Sequence, residues 1–423
     1  MSARVCLVTT GQPSTNPRLV KEADALAAHG YIVHVVGAHW ADWADRADVE
    51  LLRARRWSCQ LVDGRREGAA WLFWKSRVRH RAARSAFRMP IVGRAFANGA
   101  AGRLTPELSA AASASPADLY IAHNLGALPA AAAAARRHGA RLGFDAEDYH
   151  RGELAADDTA AIALAAHIEE QYLPQCDYVT AASPGIAAAY APLCKTPPVV
   201  ILNVFPRSDR PAAPMARRDG PFRLYWFSQT IGRDRGLEQV VGAMGILRDL
   251  PIELHLRGAW QAGYQSHLEQ TAPAAGVDWG RVVSHAPAPP AEMIRIAAAY
   301  DAGLALEASR TTNADILLSN KIFTYLLAGL PVLASATTAQ RALVRELGAA
   351  AVIAPIDDAE TLALMLRPWV ENPEALADAR RTAWRLGETR FNWDHEQRVF
   401  LEVVQTVMGD GLGRRAVVAG LAS

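Results

Sequence analysis

Short apolar runs alternate along this chain with longer stretches whose apolar positions recur every three to four residues, the pattern of parallel strands covered on both faces by helices. In the first half the apolar runs at residues 5–9, 32–36, 119–122, 142–145, 178–181 and 199–202 are predicted as strands. A second series occupies residues 223–227, 252–257, 281–284, 302–306, 332–334 and 351–353. The helix between the first two strands is predicted to run from about Pro17 to Ala28 and to end at Gly30. The alanine tracts at 110–114 and 130–135 have helical length and are read as packed helices rather than low complexity. Residues 205–221, rich in Pro, Arg, Asp and Ala, separate the two series and read as a linker. The fold class is therefore α/β, with two similar open sheets whose ligands are expected beyond the carboxyl ends of the strands.

Length agrees, since 423 residues suit two domains of about 200 residues each. A net charge of +2 argues against a dedicated nucleic-acid binder. Charge is uneven, however. No acid occurs between Glu67 and Glu107, while Lys75, Arg77, Arg79, Arg81, Arg84, Arg88, Arg94 and Arg103 stand among Trp71, Phe73, Trp74, Phe87 and Phe96. Residues 71–103 are thus expected to meet an anionic membrane surface; the competing expectation is a solvated helix whose aromatics belong to the core. Cys6, Cys59, Cys176 and Cys194 show neither CxxC nor metal spacing, which points to a reduced cytosolic compartment. Neither a signal peptide nor a spanning helix is expected.

Chemistry first surfaces late in the chain, at residues 318–335. Ser319 or Asn320 is placed to cap a short helix, Gly329 to end it, and Pro331 to block its continuation into the next strand. The free amides and positive dipole end of that helix, with Lys321 beside them, suit a diphosphate.

The order of several motifs is similar to that of the GT-B glycosyltransferases, in particular the retaining family 4 group. Asn16-Pro17-Arg18-Leu19-Val20-Lys21-Glu22-Ala23 resembles the family's "DPR-hydrophobic-x-x-EA" opening, after a loop beginning at Gly11. Ala181-Ala182-Ser183-Pro184 resembles its "xxSP" step into a helix. The stretch from Phe227 through Ser228, Arg233 and Arg235 to Gly236-Leu237-Glu238 resembles the "GR…KGL" loop, and Asn320-Lys321-Ile322-Phe323-Thr324-Tyr325 the "NK-hydrophobic-F-acid-Y" donor helix. The resemblance covers roughly residues 4 to 405. It implies an acceptor-binding Rossmann-like domain over 1–205, a nucleotide-sugar-binding Rossmann-like domain over 206–388, a deep cleft between them, a terminal helix over 389–408 crossing back to the first domain, and a tail over 409–423.

One departure matters. The family often carries two glutamates eight positions apart, and here the corresponding residues are Ile316 and Thr324. A threonine hydroxyl cannot act as a charged acceptor for ribose, so a charge-assisted contact of about 1.5–3 kcal/mol must be weakened or supplied elsewhere. Glu307, at a strand end before the polar loop that contains Asn313, is the candidate substitute; its alternative role is a surface pair with Arg310. Donor contacts are thus expected from Ser228, Arg233, Arg235, Glu307, Asn313, Ser319, Asn320, Lys321 and Thr324.

In the first half, His123 closes a strand and begins a segment similar to the family's "H-x-hydrophobic-x-x-L-P". Asp145, Glu147, Asp148, His150 and Glu153 cluster after the next strand, more ionisable groups than helix capping needs. Acceptor contacts are therefore expected from Gly11, Asn16, Arg18, His123, Asp145, Glu147, Asp148 and His150, with catalysis resting on His123, Glu307, Lys321 and Arg235. The resemblance implies glycosyl transfer with retention from a nucleotide sugar to a glycan or lipid-linked acceptor, with the departing phosphate taking the acceptor proton. No metal or cofactor is expected: the chain lacks a clear DxD step, and Asp157-Asp158 is read as solvent-facing within an alanine-rich helix. The expected location is cytoplasmic, peripheral on the inner membrane face. A nucleotide-sugar 2-epimerase of the same fold and a non-catalytic nucleotide-sugar-binding subunit are the competing readings.

Overall fold

A computed structural model describes residues 2–89, 93–217 and 219–420. The chain divides into two compact units, residues 1–201 with 397–423 and residues 202–396.

The first unit is built on a seven-stranded parallel sheet. Its strands are β1 (Arg4–Thr9), β2 (Ile32–His39), β3 (Ser58–Asp63), β4 (Leu119–His123), β5 (Arg141–Ala146), β6 (Tyr178–Ala181) and β7 (Val199–Val200), in the spatial order β3-β2-β1-β4-β5-β6-β7. The order reverses between β1 and β4, the switch point where such sheets bind ligands. β1, β4 and β5 read as apolar runs because helices cover both faces, and all five residues of β4 are buried. The strand that the sequence pattern does not reveal is β3, whose Ser-Cys-Gln-Leu-Val-Asp contains no fully buried residue because it lies on the sheet edge. Helix Pro17–Ala28 appears as expected, capped by the Asn16 side chain, which accepts from the Leu19 amide. The alanine tracts lie in helices Thr105–Ser113 and Leu128–His138. Asp158 differs from expectation: it is exposed, but it stands before helix Thr159–Tyr172 and accepts from the Ala161 amide as its cap.

The register explains what gathers at the carboxyl ends. Thr9 lies opposite His123, His123 opposite Asp145, and Asp145 opposite Thr180. Four consecutive strands thus present four polar residues in one row on one face.

The second unit carries six parallel strands, β8 (Phe222–Ile231), β9 (Ile252–Trp260), β10 (Val282–His285), β11 (Ala302–Ala305), β12 (Val332–Ser335) and β13 (Ala351–Ala354), in the order β10-β9-β8-β11-β12-β13. Leu224, Trp226, Leu254, Leu256, Leu304 and Leu333 pack with Leu237, Val240 and Met244 of helix Leu237–Ile246 into one core. Helix Asn320–Ala328 is held on the sheet by Tyr325, whose hydroxyl donates to the carbonyls of Tyr225 (3.1 Å) and Leu304 (3.2 Å). Gly303 makes this possible, because a Cβ there would stand 2.3 Å from the Tyr325 ring. Gly329 ends the helix at φ 76°, as the sequence predicts. Helix Trp393–Gly420 begins in this unit and from Gln397 onward groups with the first; Phe400, Leu401 and Val404 are fully buried.

Candidate functional site

The second unit assembles a compact ionic group around Glu307, which follows β11. Its Oε1 accepts from Lys321 Nζ at 2.7 Å and from the Ser319 hydroxyl at 2.9 Å, and its Oε2 accepts from Arg235 at 3.0 Å. Its amide donates to the Ser335 hydroxyl at 2.9 Å, fixing the backbone from which the carboxylate projects. Burial pushes the Glu307 carboxyl upward, and the Lys321 ammonium, helped by Ser319 and Arg235, more than reverses this and holds it below the ordinary carboxylate range. Lys321 is 12% and Glu307 15% exposed, while Arg235 at 39% keeps one side to solvent.

Local sequence places each cation. Lys321 is the second residue of helix Asn320–Ala328, so its amide and its ammonium both belong to the positive end of the helix. Ser319 stands at the cap position, but its side chain accepts no bond from the helix; its hydroxyl serves Glu307 instead. Arg235 precedes Gly236, whose left-handed conformation (φ 66°) turns the chain into helix Leu237–Ile246. Beside Glu307 lies a cleft of about 660 Å³, whose lining includes Arg233, Gly236, Arg310, Thr337 and Arg341.

The other donor candidates are distributed unevenly. Arg233 is exposed and lines this cleft. Arg310, the alternative partner of Glu307, is instead paired with Asp234. Thr324 does not join the group: it is buried, and its hydroxyl donates to the Asn320 carbonyl one turn earlier. Asn320 itself is exposed at the first helical position, Asn313 is buried within the short helix Thr312–Ile316, and Ser228 lies half-buried at the irregularity where β8 shifts register against β9.

The first unit forms a second ionic group, and it is closed. Arg18 donates from Nε (2.6 Å) and Nη2 (2.7 Å) to the two Asp145 oxygens and from Nη1 to the Ile201 carbonyl (2.7 Å). Thr180 also donates to Asp145, at 2.7 Å. His123 stands between carboxylates, with Nδ1 3.4 Å from Asp145 and Nε2 3.2 Å from Glu22. Arg18, Glu22, His123 and Asp145 are at most 1% exposed. Burial lowers the His123 pKa, but Glu22 and Asp145 reverse the effect and raise it to about 10. Burial and the Asp145 charge raise Glu22, so His123 and Glu22 together retain a proton. Burial also raises Asp145, yet Arg18 and His123 overcome it and hold this carboxyl far below its ordinary value. Donor atoms of Glu22, His123 and Asp145 lie within 4.8 Å of one another, a spacing a cation would accept, but Arg18 already supplies positive charge there.

The placement of Arg18, His123 and Asp145 differs from the expected open acceptor contacts. The row of register that brings them together also lies beneath helix-borne Arg18 and Glu22, and salt bridging between two layers closes over the imidazole. Asp145 likewise serves Arg18 rather than a helix cap. Glu147, Asp148 and His150 follow β5 and are half-buried; His150 Nδ1 bonds Glu153 at 2.7 Å. Burial lowers the His150 pKa, and Glu153 more than restores it, leaving it raised. Gly11 remains partly accessible after β1, and Asn16 is the cap of helix Pro17–Ala28. Glu22 is the member of this group that the site expectations miss, although it stands inside the Arg18-to-Ala23 motif. Its spacing of four from Arg18 on one helix was the available signal.

No protein-family model matches the chain, and no curated protein matches it. Solved structures do. Anabaena Alr3699/HepE in complex with UDP superposes with a TM-score of 0.66 at 16% identity, covering 96% of this chain and 100% of that one. Sucrose-phosphate synthase from Thermosynechococcus elongatus gives 0.65 at 14% identity, with 96% and 100% covered. A putative UDP-N-acetylglucosamine 2-epimerase from Listeria monocytogenes gives 0.58 at 10% identity, with 96% of each chain covered. With its two Rossmann-like parallel sheets, the chain has the GT-B fold.

Proposed function

We propose that the protein is a glycosyltransferase that moves a sugar from a nucleotide-sugar donor to a glycan or lipid-linked acceptor. The observation that carries this reading is the convergence of Lys321, Arg235 and the start of helix Asn320–Ala328 on one anionic position. Two cations and a helix dipole aimed at one point stabilise a nucleoside diphosphate as it departs, when its charge is greatest. The HepE structures, which hold UDP and UDP-glucose, support the same donor class.

In this reading the second unit binds the donor, and bond breaking at the anomeric carbon is driven by electrostatic stabilisation of the leaving group without a metal. Retention of configuration follows from the family 4 resemblance: the acceptor hydroxyl attacks from the side the diphosphate leaves, and a diphosphate oxygen takes its proton. The first unit presents the acceptor through the half-buried groups after β1 and β5, namely Gly11, Glu147, Asp148 and His150. His123, Asp145 and Arg18 act behind them as positioning residues.

The helix Ala70–Phe87 supports an acceptor carried by lipid. Trp71, Trp74 and Val78 are 77%, 52% and 66% exposed, at helical spacing on one face, with Lys75, Arg81 and Ala82 also exposed. Not all eight cations of 71–103 are available: Arg79 is bonded to Glu107 (2.8 and 2.6 Å), and Arg103 lies over the rings of Trp40 (4.3 Å) and Phe73 (4.9 Å). Lys75, Arg81, Arg84, Arg88 and Arg94 remain exposed, while residues 90–92 lie outside the described residues. Among the described residues no helix is long and apolar enough to cross a membrane. In this reading the exposed cations and tryptophans of this helix hold the protein at an anionic inner membrane face, on the cytoplasmic side.

The experiment is mass-spectrometric screening of nucleotide sugars with and without cell-envelope lipid extract. Transfer of sugar to lipid, or slow donor hydrolysis, is the expected result. The Listeria neighbour favours one rival, a 2-epimerase; isomerised donor without any acceptor decides for it. Donor binding without turnover decides for a non-catalytic subunit.

A further inference from the structure

The anion position of the donor site is filled by the protein's own carboxylate, that of Glu307. Glu307 takes hydrogen bonds from Lys321 (2.7 Å), Ser319 (2.9 Å) and Arg235 (3.0 Å), the groups that the donor reading assigns to the leaving diphosphate. Ser319 points its hydroxyl at this carboxylate although it stands where a capping side chain would turn toward the helix amides. The Lys321 ammonium is mostly buried, with the Trp226 ring 5.8 Å away, and Glu307 is the carboxylate that balances it. A diphosphate that contacts Lys321 and Arg235 must therefore either displace the Glu307 carboxylate or sit against it, like charge beside like charge.

We propose that Glu307 is a resident competitor of the donor diphosphate: it holds Lys321 and Arg235 before donor binds, yields them to the donor, and reclaims them when the product diphosphate leaves. This rests on the donor-site reading and adds regulation of that site. It also reverses the sign of the role expected from the sequence, where Glu307 is a ligand contact substituting for the missing acidic residue at Thr324. A hydrogen-bond acceptor for ribose strengthens nucleotide binding, whereas a competitor weakens it. The same competition favours product release, because the spent nucleoside diphosphate is expelled by a group already attached to the site. The exposed side of Arg235 gives the incoming phosphate a first foothold before Lys321 is exchanged.

Calorimetric titration of the full chain with UDP, GDP, ADP and dTDP separates the possibilities. For the nucleotide that the wild type holds most tightly, Glu307→Gln and Glu307→Ala are each expected to bind about tenfold or more tightly, since the opposing charge is gone. Adding Lys321→Ala to Glu307→Gln should abolish that gain. In the wild type, the Lys321 ε-ammonium resonance should shift on adding the nucleotide, a readout that needs no substitution. Equal or weaker binding by both Glu307 variants, with unchanged circular dichroism, overturns the competitor role and leaves the donor site standing with Glu307 as a ligand contact. If neither wild type nor variants bind any of the four nucleotides, the donor reading and the competitor role fall together.

Discussion

Lys321 and Arg235 reach one carboxylate from the starts of two different helices, so each supplies charge that the other cannot replace. Lys321→Ala and Arg235→Ala are each expected to lower sugar transfer by about 10²-fold or more. Steady-state kinetics with unchanged circular dichroism check this, and near-normal turnover in both would refute the donor-site assignment. In the first unit the closed group around His123 is a matter of stability. Replacing Asp145 by Asn leaves Arg18 buried without its counter-charge, and urea denaturation should show a loss of about 3–5 kcal/mol. The pH dependence has a definite sign. The folded pKa of His123 is raised to about 10, above its ordinary value, so its contribution is complete below about pH 6.5 and is lost as pH rises toward 10. Melting temperature should fall across that window in the wild type, and His123→Gln should flatten the decline; parallel curves would refute it. Single residues were legible in the sequence where a backbone rule fixes them, as Gly329 at the helix end. Glu307 was legible as a candidate, but not its partners, because pairing depends on rotamers rather than on spacing. The buried row of Thr9, His123, Asp145 and Thr180 depends on register between strands, which is set by packing and invisible in any one segment.

At the scale of elements, helix Asn320–Ala328 is only as well placed as its contact with the sheet. Gly303→Ala would drive a methyl into the Tyr325 ring and should cost about 1–3 kcal/mol by thermal unfolding, with a parallel loss of activity as the helix start shifts away from Arg235. Tyr325→Phe, which keeps the ring, should be milder. The helix Ala70–Phe87 carries the membrane prediction. Sedimentation with anionic vesicles should be salt-sensitive and should weaken when Lys75, Arg81 and Arg84 become glutamine, while neutral vesicles should leave the protein in solution; indifference to both vesicle types removes the membrane proposal and leaves the donor-site proposal untouched. Apolar strands between helices were the elements the sequence displayed best, because burial on both faces leaves little room for polar residues. Edge strand β3 escaped for the opposite reason, since neither of its faces is fully covered. The basic helix was visible as composition, but its outward-facing tryptophans and the withdrawal of Arg79 into a pair with Glu107 required three dimensions.

On the scale of the whole molecule, the two-sheet architecture followed from the repeated strand-helix alternation, while the expectation of a terminal helix over 389–408 rested on the family resemblance. Truncation before Arg390 removes Phe391, Phe400, Leu401 and Val404, all buried, and differential scanning calorimetry should show lowered melting of the first unit as well as the second. The outgoing and returning segments of the second unit run side by side. The Leu202 amide bonds the Glu396 carboxylate at 2.9 Å, the Trp393 amide bonds the Phe205 carbonyl at 2.8 Å, and the Arg207 amide bonds Asp394 at 2.8 Å. The second unit is therefore a cassette with neighbouring ends, inserted into a host that resumes after it. A gene encoding residues 202–396 alone begins and finishes at one seam, so this half of the molecule lends itself to excision, to circular permutation and to exchange for the corresponding half of another GT-B protein.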